Sequence, residues 1–415
     1  HQAFPYCGFT APKIKEYVTK EITHSALTTQ KCIIKYRARR YKCPCCGKTY
    51  YEFNPFVFKS QKISILTVHN ILKDLKDFNE TFTSVARRYH VSPTSVSTIF
   101  DNHVDIGRNP LPEIINFDEV YAFKSEKSKY VCVLLDFKKQ IPVDVLPNRK
   151  KEYLLNYFQK IPLEERKKVK YACSDMYEVY RDVVHKVFPC SCMLLDYFHL
   201  SQDFHRKMNE VRIKVMKGYK DDKASDEYYL LKKFNWLLFK NPEDEDKYGR
   251  LFDVERERKY NSHFKSYMNY YDLRRKLLEI NNDLTICYSL KLELVDFYSK
   301  STIDNAQVNL EHLIRSFIDT NIEEMIKFSN NLINWKQEII NSFTIVGTEY
   351  KVEADKGQVV VCNKKVNNAI IENRNKIIKC IKNNANGYTN WSRFRNRVMY
   401  VLDPNTTFSL EPREK

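Results

Sequence analysis

Residues 114–123 read Ile-Ile-Asn-Phe-Asp-Glu-Val-Tyr-Ala-Phe, residues 129–137 Lys-Tyr-Val-Cys-Val-Leu-Leu-Asp-Phe, and residues 141–146 Ile-Pro-Val-Asp-Val-Leu. Each is a short apolar run bounded by charged or turn-forming residues, the pattern of a strand buried in a sheet. The gaps between them suit hairpins, so neighbouring strands are expected to run antiparallel. The pattern then changes period. A helix is predicted near 150–160, a strand at 169–174 (Val-Lys-Tyr-Ala-Cys-Ser), a helix at 176–187, and a strand at 190–195 (Cys-Ser-Cys-Met-Leu-Leu). Three hairpin-connected strands followed by alternating helix and strand predict an α/β sheet with helices covering its faces.

That β-β-β-α-β-α-β order is the order of ribonuclease-H-like folds. In open α/β sheets the reacting groups collect at strand ends. Asp118 lies on the first strand and Asp175 directly follows the fourth. Glu119 is the rival to Asp118. Adjacent strand residues point to opposite faces, so one of the two at most serves the site, and alternation alone does not choose. Asp175, read by itself, could also be the N-cap of the helix that follows it. Glu372 opens the basic run Glu-Asn-Arg-Asn-Lys-Ile-Ile-Lys (372–379) in a helix predicted to start near Asn368. Three carboxylates converging on one point repel each other unless divalent cations sit among them. Two hard cations held by carboxylates are a recurrent device for cutting and joining phosphodiesters.

Outside this core the chain divides by composition. Residues 1–54 are Cys-rich, basic and aromatic, with knuckle-like turns at Pro-Tyr-Cys-Gly (5–8) and Cys-Pro-Cys-Cys-Gly (43–47) around a strand-like stretch at 31–41. This is the plan of a zinc ribbon, with Cys7, Cys43 and Cys46 as ligands of one Zn²⁺. Phe4 stands where a fourth cysteine is expected, so His1 or Cys45 would complete the set. The alternative is a small hairpin that packs without metal. Residues 55–112 form the next domain, in which 60–103 read as helices. Within them Thr83 to Phe100 gives a short helix, a turn at His90-Val91, and a second helix capped by Ser92 with Pro93 at its first position. That is a helix-turn-helix pattern with Thr94, Ser95 and Ser97 facing the major groove, or a plain helical hairpin. The core occupies 113–205 and 356–402, an all-helical insertion is expected at 206–355, and 403–415 reads as a loose tail.

The 415 residues carry 69 Lys and Arg against 52 Asp and Glu, a net charge of +17, which favours a polyanionic partner. Hydrophobic residues make up 43%, enough for buried cores and too many for a disordered chain. No apolar run is long enough for a membrane span, no signal-peptide pattern opens the chain, and the 12 cysteines are placed unlike a disulfide scaffold. The chain opens at His1 and not Met, so a few residues are expected to precede it. These features predict a reduced, cytoplasmic protein.

From Asp118 through Met399 the sequence resembles the DDE transposases of the bacterial insertion-sequence family IS-L-three. Ile-Asn-Phe-Asp-Glu-Val (115–120) is similar to that family's first-aspartate strand, and Cys-Ser-Asp-Met-Tyr-Glu-Val-Tyr (173–180) to its second. Leu-Asp-Tyr-Phe-His-Leu (195–200) is similar to its Asp-x-x-His segment, which draws in Asp196 and His199. Val366 to Lys379 resembles its glutamate helix, and Gly387 to Val398 its closing motif. The knuckles and the helix-turn-helix also sit where the family has them. Asn373 after the glutamate departs from the family's usual glycine. The resemblance selects Asp118 over Glu119 and implies a catalytic set of Asp118, Asp175 and Glu372. These residues would hold two Mg²⁺ (or Mn²⁺) ions. It further implies cleavage at the terminal inverted repeats of an insertion sequence and strand transfer into target DNA, by a homodimer or higher assembly of a bacterial, nucleoid-associated protein.

Arg374, Lys376 and Lys379 on the glutamate helix, and Arg393 and Arg395 after it, are candidate phosphate contacts, or else solvated faces over an aromatic stripe. Trp335 either stacks on a flipped terminal base or packs in a core, and His199 either orients a phosphate or carboxylate or is a core histidine. Two other functions fit the residues: a transposase-derived repressor without catalysis, and another ribonuclease-H-like nuclease.

Overall fold

The computed structural model describes residues 5–10, 12–25, 30–58, 61–123, 128–352 and 359–413. The chain divides into two compact units, residues 1–168 with 369–415, and residues 169–368.

The first unit opens with β1 (Lys13–Thr23), β2 (Ile33–Lys42) and β3 (Thr49–Tyr51), antiparallel in the order β1-β2-β3. Three helices follow: α1 (Ile65–Asp74), α2 (Phe82–Arg88) and α3 (Pro93–His103). Each begins at a side-chain cap. The Ser64 hydroxyl accepts from the Thr67 amide, Thr81 and Ser84 form a capping box, and Ser92 accepts from the Ser95 amide with Pro93 at the first helical position. His90, at φ 54°, makes the tight turn between α2 and α3. The core strands are β4 (Ile114–Val120), β5 (Val131–Asp136) and β6 (Pro142–Leu146), antiparallel in the order β6-β5-β4, followed by α4 (Lys151–Gln159) and α5 (Leu163–Arg166).

The second unit holds β7 (Tyr171–Ser174), α6 (Glu178–Val187) and β8 (Cys192–Leu195), with β7 and β8 parallel. The helices α7 (Tyr197–Lys217) and α8 (Asp226–Lys233) and a 3₁₀ turn at Asn235–Phe239 come next. Two small hairpins follow: β9 (Glu245–Asp246) with β10 (Gly249–Arg250), and β11 (Lys259–Asn261) with β12 (Ser266–Met268). Helices α9 (Tyr270–Glu279), α10 (Asn282–Lys300), α11 (Ala306–Asp319), α12 (Glu323–Asn334) and α13 (Lys336–Asn341) complete its helical part. A hairpin of β13 (Ile345–Val352) and β14 (Val359–Lys365) closes it. Its core runs from Leu200 and Phe204 on α7 through Leu284, Leu294, Leu310, Phe317 and Phe328 to Ile339.

The chain returns to the first unit with α14 (Ala369–Asn384) and α15 (Trp391–Leu402). Ile371, Ile378 and Ile381 of α14 are buried with Val120, Val131 and Val133 in the cluster that also takes in α1, α3 and α15. At about 1.5–3 kcal/mol per buried branched aliphatic side chain, this stripe holds α14 firmly on the strands.

All seven core elements predicted between 114 and 196 are present. The insertion differs from the all-helical expectation. Its four short strands span two or three residues each, too few for a period-2 signal to stand out, and β13 and β14 form a longer pair. The predicted tail also differs, because its described residues 403–413 are docked. The Ser409 amide donates to the His103 carbonyl and the Arg413 amide to the Asn102 carbonyl, both at 3.0 Å. These bonds satisfy carbonyls left open at the C-terminal end of α3. The Lys76 ammonium donates to the Asp403 and Thr406 carbonyls.

Candidate active site and nucleic-acid interface

Strand alternation separates Asp118 from Glu119. Val120 shares the face of Asp118 and packs in the cluster with Ile371 and Ile378 of α14. Phe117 shares the face of Glu119 and meets Phe158 of α4, with ring centroids 5.8 Å apart. Glu119 is ion-paired with Arg149, whose guanidinium lies 4.5 Å from the centroid of the Tyr130 ring. Asp118 is 9% exposed and turned towards α14. There the Asn375 side-chain amide donates to Asp118 Oδ2 at 2.7 Å, and the Glu119 backbone amide donates to Asp118 Oδ1 at 2.7 Å. A carboxylate oxygen has two lone pairs and can take both a hydrogen bond and a hard cation.

Glu372 lies in the first turn of α14, three residues before Asn375 and thus on an adjoining part of the same helix face. Sequence reasoning missed Asn375. Its signal was present in the spacing: an amide one turn after the predicted acid, among apolar residues at helical period. The Asn375 side chain is buried, and its Oδ1 has no hydrogen-bond partner among the described residues.

Asp175 stands immediately after β7 in the second unit, and the N-cap of α6 is Tyr177. The capping role considered for Asp175 therefore does not apply. Asp196 is buried at the N-terminus of α7, with His199 Nε2 3.8 Å from its Oδ2. Trp335 is 3% exposed, and the Arg181 guanidinium covers its ring at 4.3 Å while donating to the Asn334 carbonyl. That is core packing capped by a cation, the second of the two roles considered for it.

The basic candidates separate into two groups. Arg374, half-buried, donates to the Gln140 carbonyl at 3.2 Å, whereas Lys376 and Lys379 are exposed. Arg393 makes a two-pronged ion pair with Asp101 on α3. Arg395 grips buried Asp144 on β6 at 2.7 Å through Nε and the Ile106 carbonyl at 2.6 Å through Nη1. The Tyr157 hydroxyl donates to the other Asp144 oxygen, and burial together with that carboxylate pushes the phenol far above its ordinary value. Arg393 and Arg395 thus spend their charge inside the unit. On α3, Thr94 is exposed and Ser95 half-buried. Ser97, expected to face a groove, is buried and donates to the Thr94 carbonyl at 3.0 Å. Thr98 takes the exposed position one turn after Thr94.

Three of the N-terminal cysteines meet. Sulfurs of Cys7, Cys43 and Cys46 lie within 4.8 Å of one another, with Cys7 to Cys43 at 3.4 Å. A zinc tetrahedron with bonds of ~2.3 Å has an edge close to 3.8 Å, so the cluster fits the ion. The glycines that follow Cys7 and Cys46, Gly8 and Gly47, have φ of 71° and 69°, the left-handed turn that suits glycine. The Phe9 amide favours the Cys7 thiolate, but desolvation and the Cys43 and Cys46 thiols outweigh it and push Cys7 up to about 11. Burial works against the Cys43 thiolate, yet the Cys46 and Cys45 amides and the Cys7 thiol hold it below its ordinary value. Such a set resists triple ionisation unless a cation compensates it. Among the described residues the group has three members, and exposed Cys45 is not one of them. His1 and Phe4 lie outside the described residues.

A mixed α/β core bearing acids, joined to a basic N-terminal part, is the build of an enzyme that acts on DNA. Residues 115–354, more than half of the chain, match the ISL3 family of DDE transposases, described as transposase, and the chain belongs to that family. The chain is also similar to the transposase for insertion sequence element IS1001 of Bordetella parapertussis. The two are 19% identical over 402 residues, spanning 96% of this chain and 88% of that one. No helix among the described residues is long and apolar enough to cross a membrane.

Proposed function

We propose that this DNA transposase binds the terminal inverted repeats of its element through residues 1–110, and cleaves and joins DNA with Asp118, Asp175 and Glu372. The observation that carries the proposal is the bond from Asn375 to Asp118. It ties the helix of Glu372 to the strand of the first aspartate across 257 residues of sequence. Asp175 enters as the acid at the end of β7 that matches the family's second aspartate. The core is then a ribonuclease-H-like one, and the two α3-side helices a helix-turn-helix with Thr94 and Ser95 towards the bases. Two bound Mg²⁺ or Mn²⁺ ions would activate the attacking oxygen and stabilise the leaving one. The protein's own part is to hold the carboxylates in place. Asn375 fixes Asp118, and the buried isoleucine stripe fixes the helix of Glu372. The exposed Lys376 and Lys379 attract the phosphodiester. Acting on two ends at once calls for at least a dimer, and the three-thiol cluster takes one structural zinc.

Asp118→Asn, Asp175→Asn and Glu372→Gln should each abolish Mg²⁺-dependent cleavage and strand transfer on a duplex carrying the terminal repeat, while leaving binding to that duplex intact. Retained cleavage in any one of them overturns its assignment. Cutting without joining would make the enzyme a nuclease, and binding without cutting by the unaltered chain would make it a repressor.

A further inference from the structure

The β1–β2 ribbon has two unlike faces. One carries Ile22, Ala38 and Ile34 and packs inward, with Ile22 and Ala38 fully buried. On the other, register places Glu21 opposite Lys35, Thr19 opposite Arg37 and Tyr17 opposite Arg39, all exposed, with exposed Lys15 at the register shift. Glu21 is the single acid in these rows, while Arg39 is ion-paired with Glu52 at 2.9 Å and Lys15 lies 3.8 Å from Glu16, so Lys35 and Arg37 carry the outward charge. The Arg37 guanidinium lies 4.6 Å from the centroid of the Tyr17 ring, and Tyr17 is 51% exposed. Ten paired rows at ~3.4 Å make a ribbon of about 34 Å, close to one turn of B-DNA, and a two-stranded ribbon is narrow enough for a major groove ~12 Å wide.

The base of the ribbon is fixed to the helices. The Thr23 amide donates to the Lys62 carbonyl at 2.8 Å and the Ser64 amide to the Thr23 carbonyl at 2.9 Å. The Ser25 amide donates to the Thr67 hydroxyl and its own hydroxyl to the Tyr89 carbonyl. Between the ribbon base and α3 lies a concavity of about 520 Å³, with Lys31 and Lys62 on one side and Thr94, Thr98 and Asn102 on the other.

We infer that the exposed face of the β1–β2 ribbon is a second DNA-reading surface, laid in a major groove of the same duplex that α3 contacts. Lys15 and Lys35 neutralise phosphates. Arg37, held by Tyr17, presents its fork to base edges, where a guanine is its natural partner. The inference rests on the proposal that residues 1–110 bind the terminal repeat, and it adds a separate element to that binding.

The test uses the full chain and a terminal-repeat duplex. In Lys15→Gln/Lys35→Gln/Arg37→Gln, two phosphate-directed charges and the base-directed one are gone. The salt slope of log affinity should then shrink by about 1.8, so that raising salt from 50 to 200 mM weakens the variant about 12-fold less than the unaltered chain. Hydroxyl-radical protection should disappear over one outer helical turn and persist over the rest. A wild-type slope with a wild-type footprint overturns the inference. Arg37→Lys covers the case in which the triple variant misfolds. It should keep the slope and lose base preference in the outer turn, and unchanged preference there counts against the ribbon. If the unaltered chain protects no part of the duplex, the proposed function fails and not this inference alone.

Discussion

Asn375→Ala offers the most discriminating test of the acid site, because its effects on stability and on metal should part company. The bond it removes runs from a neutral amide to a buried carboxylate at 2.7 Å. Hydrogen bonds to charged groups contribute about 1.5–3 kcal/mol. The same substitution deletes the Asn375 Oδ1, a buried acceptor with no partner among the described residues, and relief of that group returns ~1 kcal/mol or more. The net loss should be about 1 kcal/mol, roughly 2–4 °C in Tm for a unit of this size. Function should suffer more. A residue that orients a metal-ligating carboxylate typically affects metal affinity or activity by 10–100-fold when removed. The Mg²⁺ concentration giving half-maximal cleavage should therefore rise on the order of 10–100-fold, with cleavage recovering towards wild type at saturating Mg²⁺. Asn375→Asp, which sets a second carboxylate against Asp118, should be less stable than Asn375→Ala without metal and should gain stability as Mg²⁺ is added. Melting curves and a Mg²⁺ titration of cleavage measure both. An unchanged Mg²⁺ midpoint in Asn375→Ala, with the expected small loss in Tm, would refute the reasoning, since the bond would then be structural only.

Glu119→Gln should cost about 1 kcal/mol by loosening Arg149 and leave cleavage within a few-fold of wild type, in contrast to Asp118→Asn; equal losses in a cleavage assay would reverse the choice between them. Arg395→Ala strands buried Asp144 and should destabilise the first unit by about 3–5 kcal/mol without flattening the salt dependence of DNA binding, as measured by denaturant melts beside binding titrations. Cys43→Ser should remove one equivalent of zinc found by elemental analysis of the purified protein and lower the melting temperature; protein that carries no zinc under reducing conditions contradicts the site. Lys291, buried on α10 with its ammonium on the Leu238 and Lys240 carbonyls, is brought down to about 8 by desolvation. Below that pH folded and unfolded chains are both protonated there and the burial penalty is constant. Between about 8 and the ordinary 10.5 the folded chain holds fewer protons, so this residue adds stability as pH rises. Lys291→Met should flatten that rise in urea melts from pH 7.5 to 10, and an unaltered slope would show that the ammonium is not buried in solution.

The core strands were legible because each is buried along its length, and a buried strand leaves a continuous apolar run that needs no knowledge of its neighbours. The turn of α2 and α3 was legible for a similar reason. Ser92 and Pro93 act on amides within three residues of themselves, so their effect is written locally. The short hairpins at 245–250 and 259–268 were not, since two- or three-residue strands carry almost no periodic signal. The docking of 403–413 escaped because its reason is the set of open carbonyls at the end of α3, some three hundred residues away in sequence.

The same distance explains which site residues could be read. A carboxylate on a buried strand is anomalous by itself, so Asp118 and Glu119 stood out together, and the resemblance to the family chose between them. An arginine on an amphipathic helix is ordinary, and its charge says nothing of where the counter-charge lies. Arg395 looked like a phosphate contact because Asp144, its partner, is 251 residues earlier, inside what reads as an apolar strand. Arg393 looked the same because Asp101 sits 292 residues away on another helix. Lys35 and Arg37 reverse the case. Their strand partners Glu21 and Thr19 are near in sequence and supply one negative charge between them, so although Glu52 takes Arg39 and Glu16 lies beside Lys15, the charge of this pair still points outward. A positive residue argues for DNA to the extent that the fold has left its charge uncompensated. By that measure the ribbon at 13–42 is a stronger candidate for DNA contact than the arginines of α15, although those arginines are the more densely spaced in the sequence.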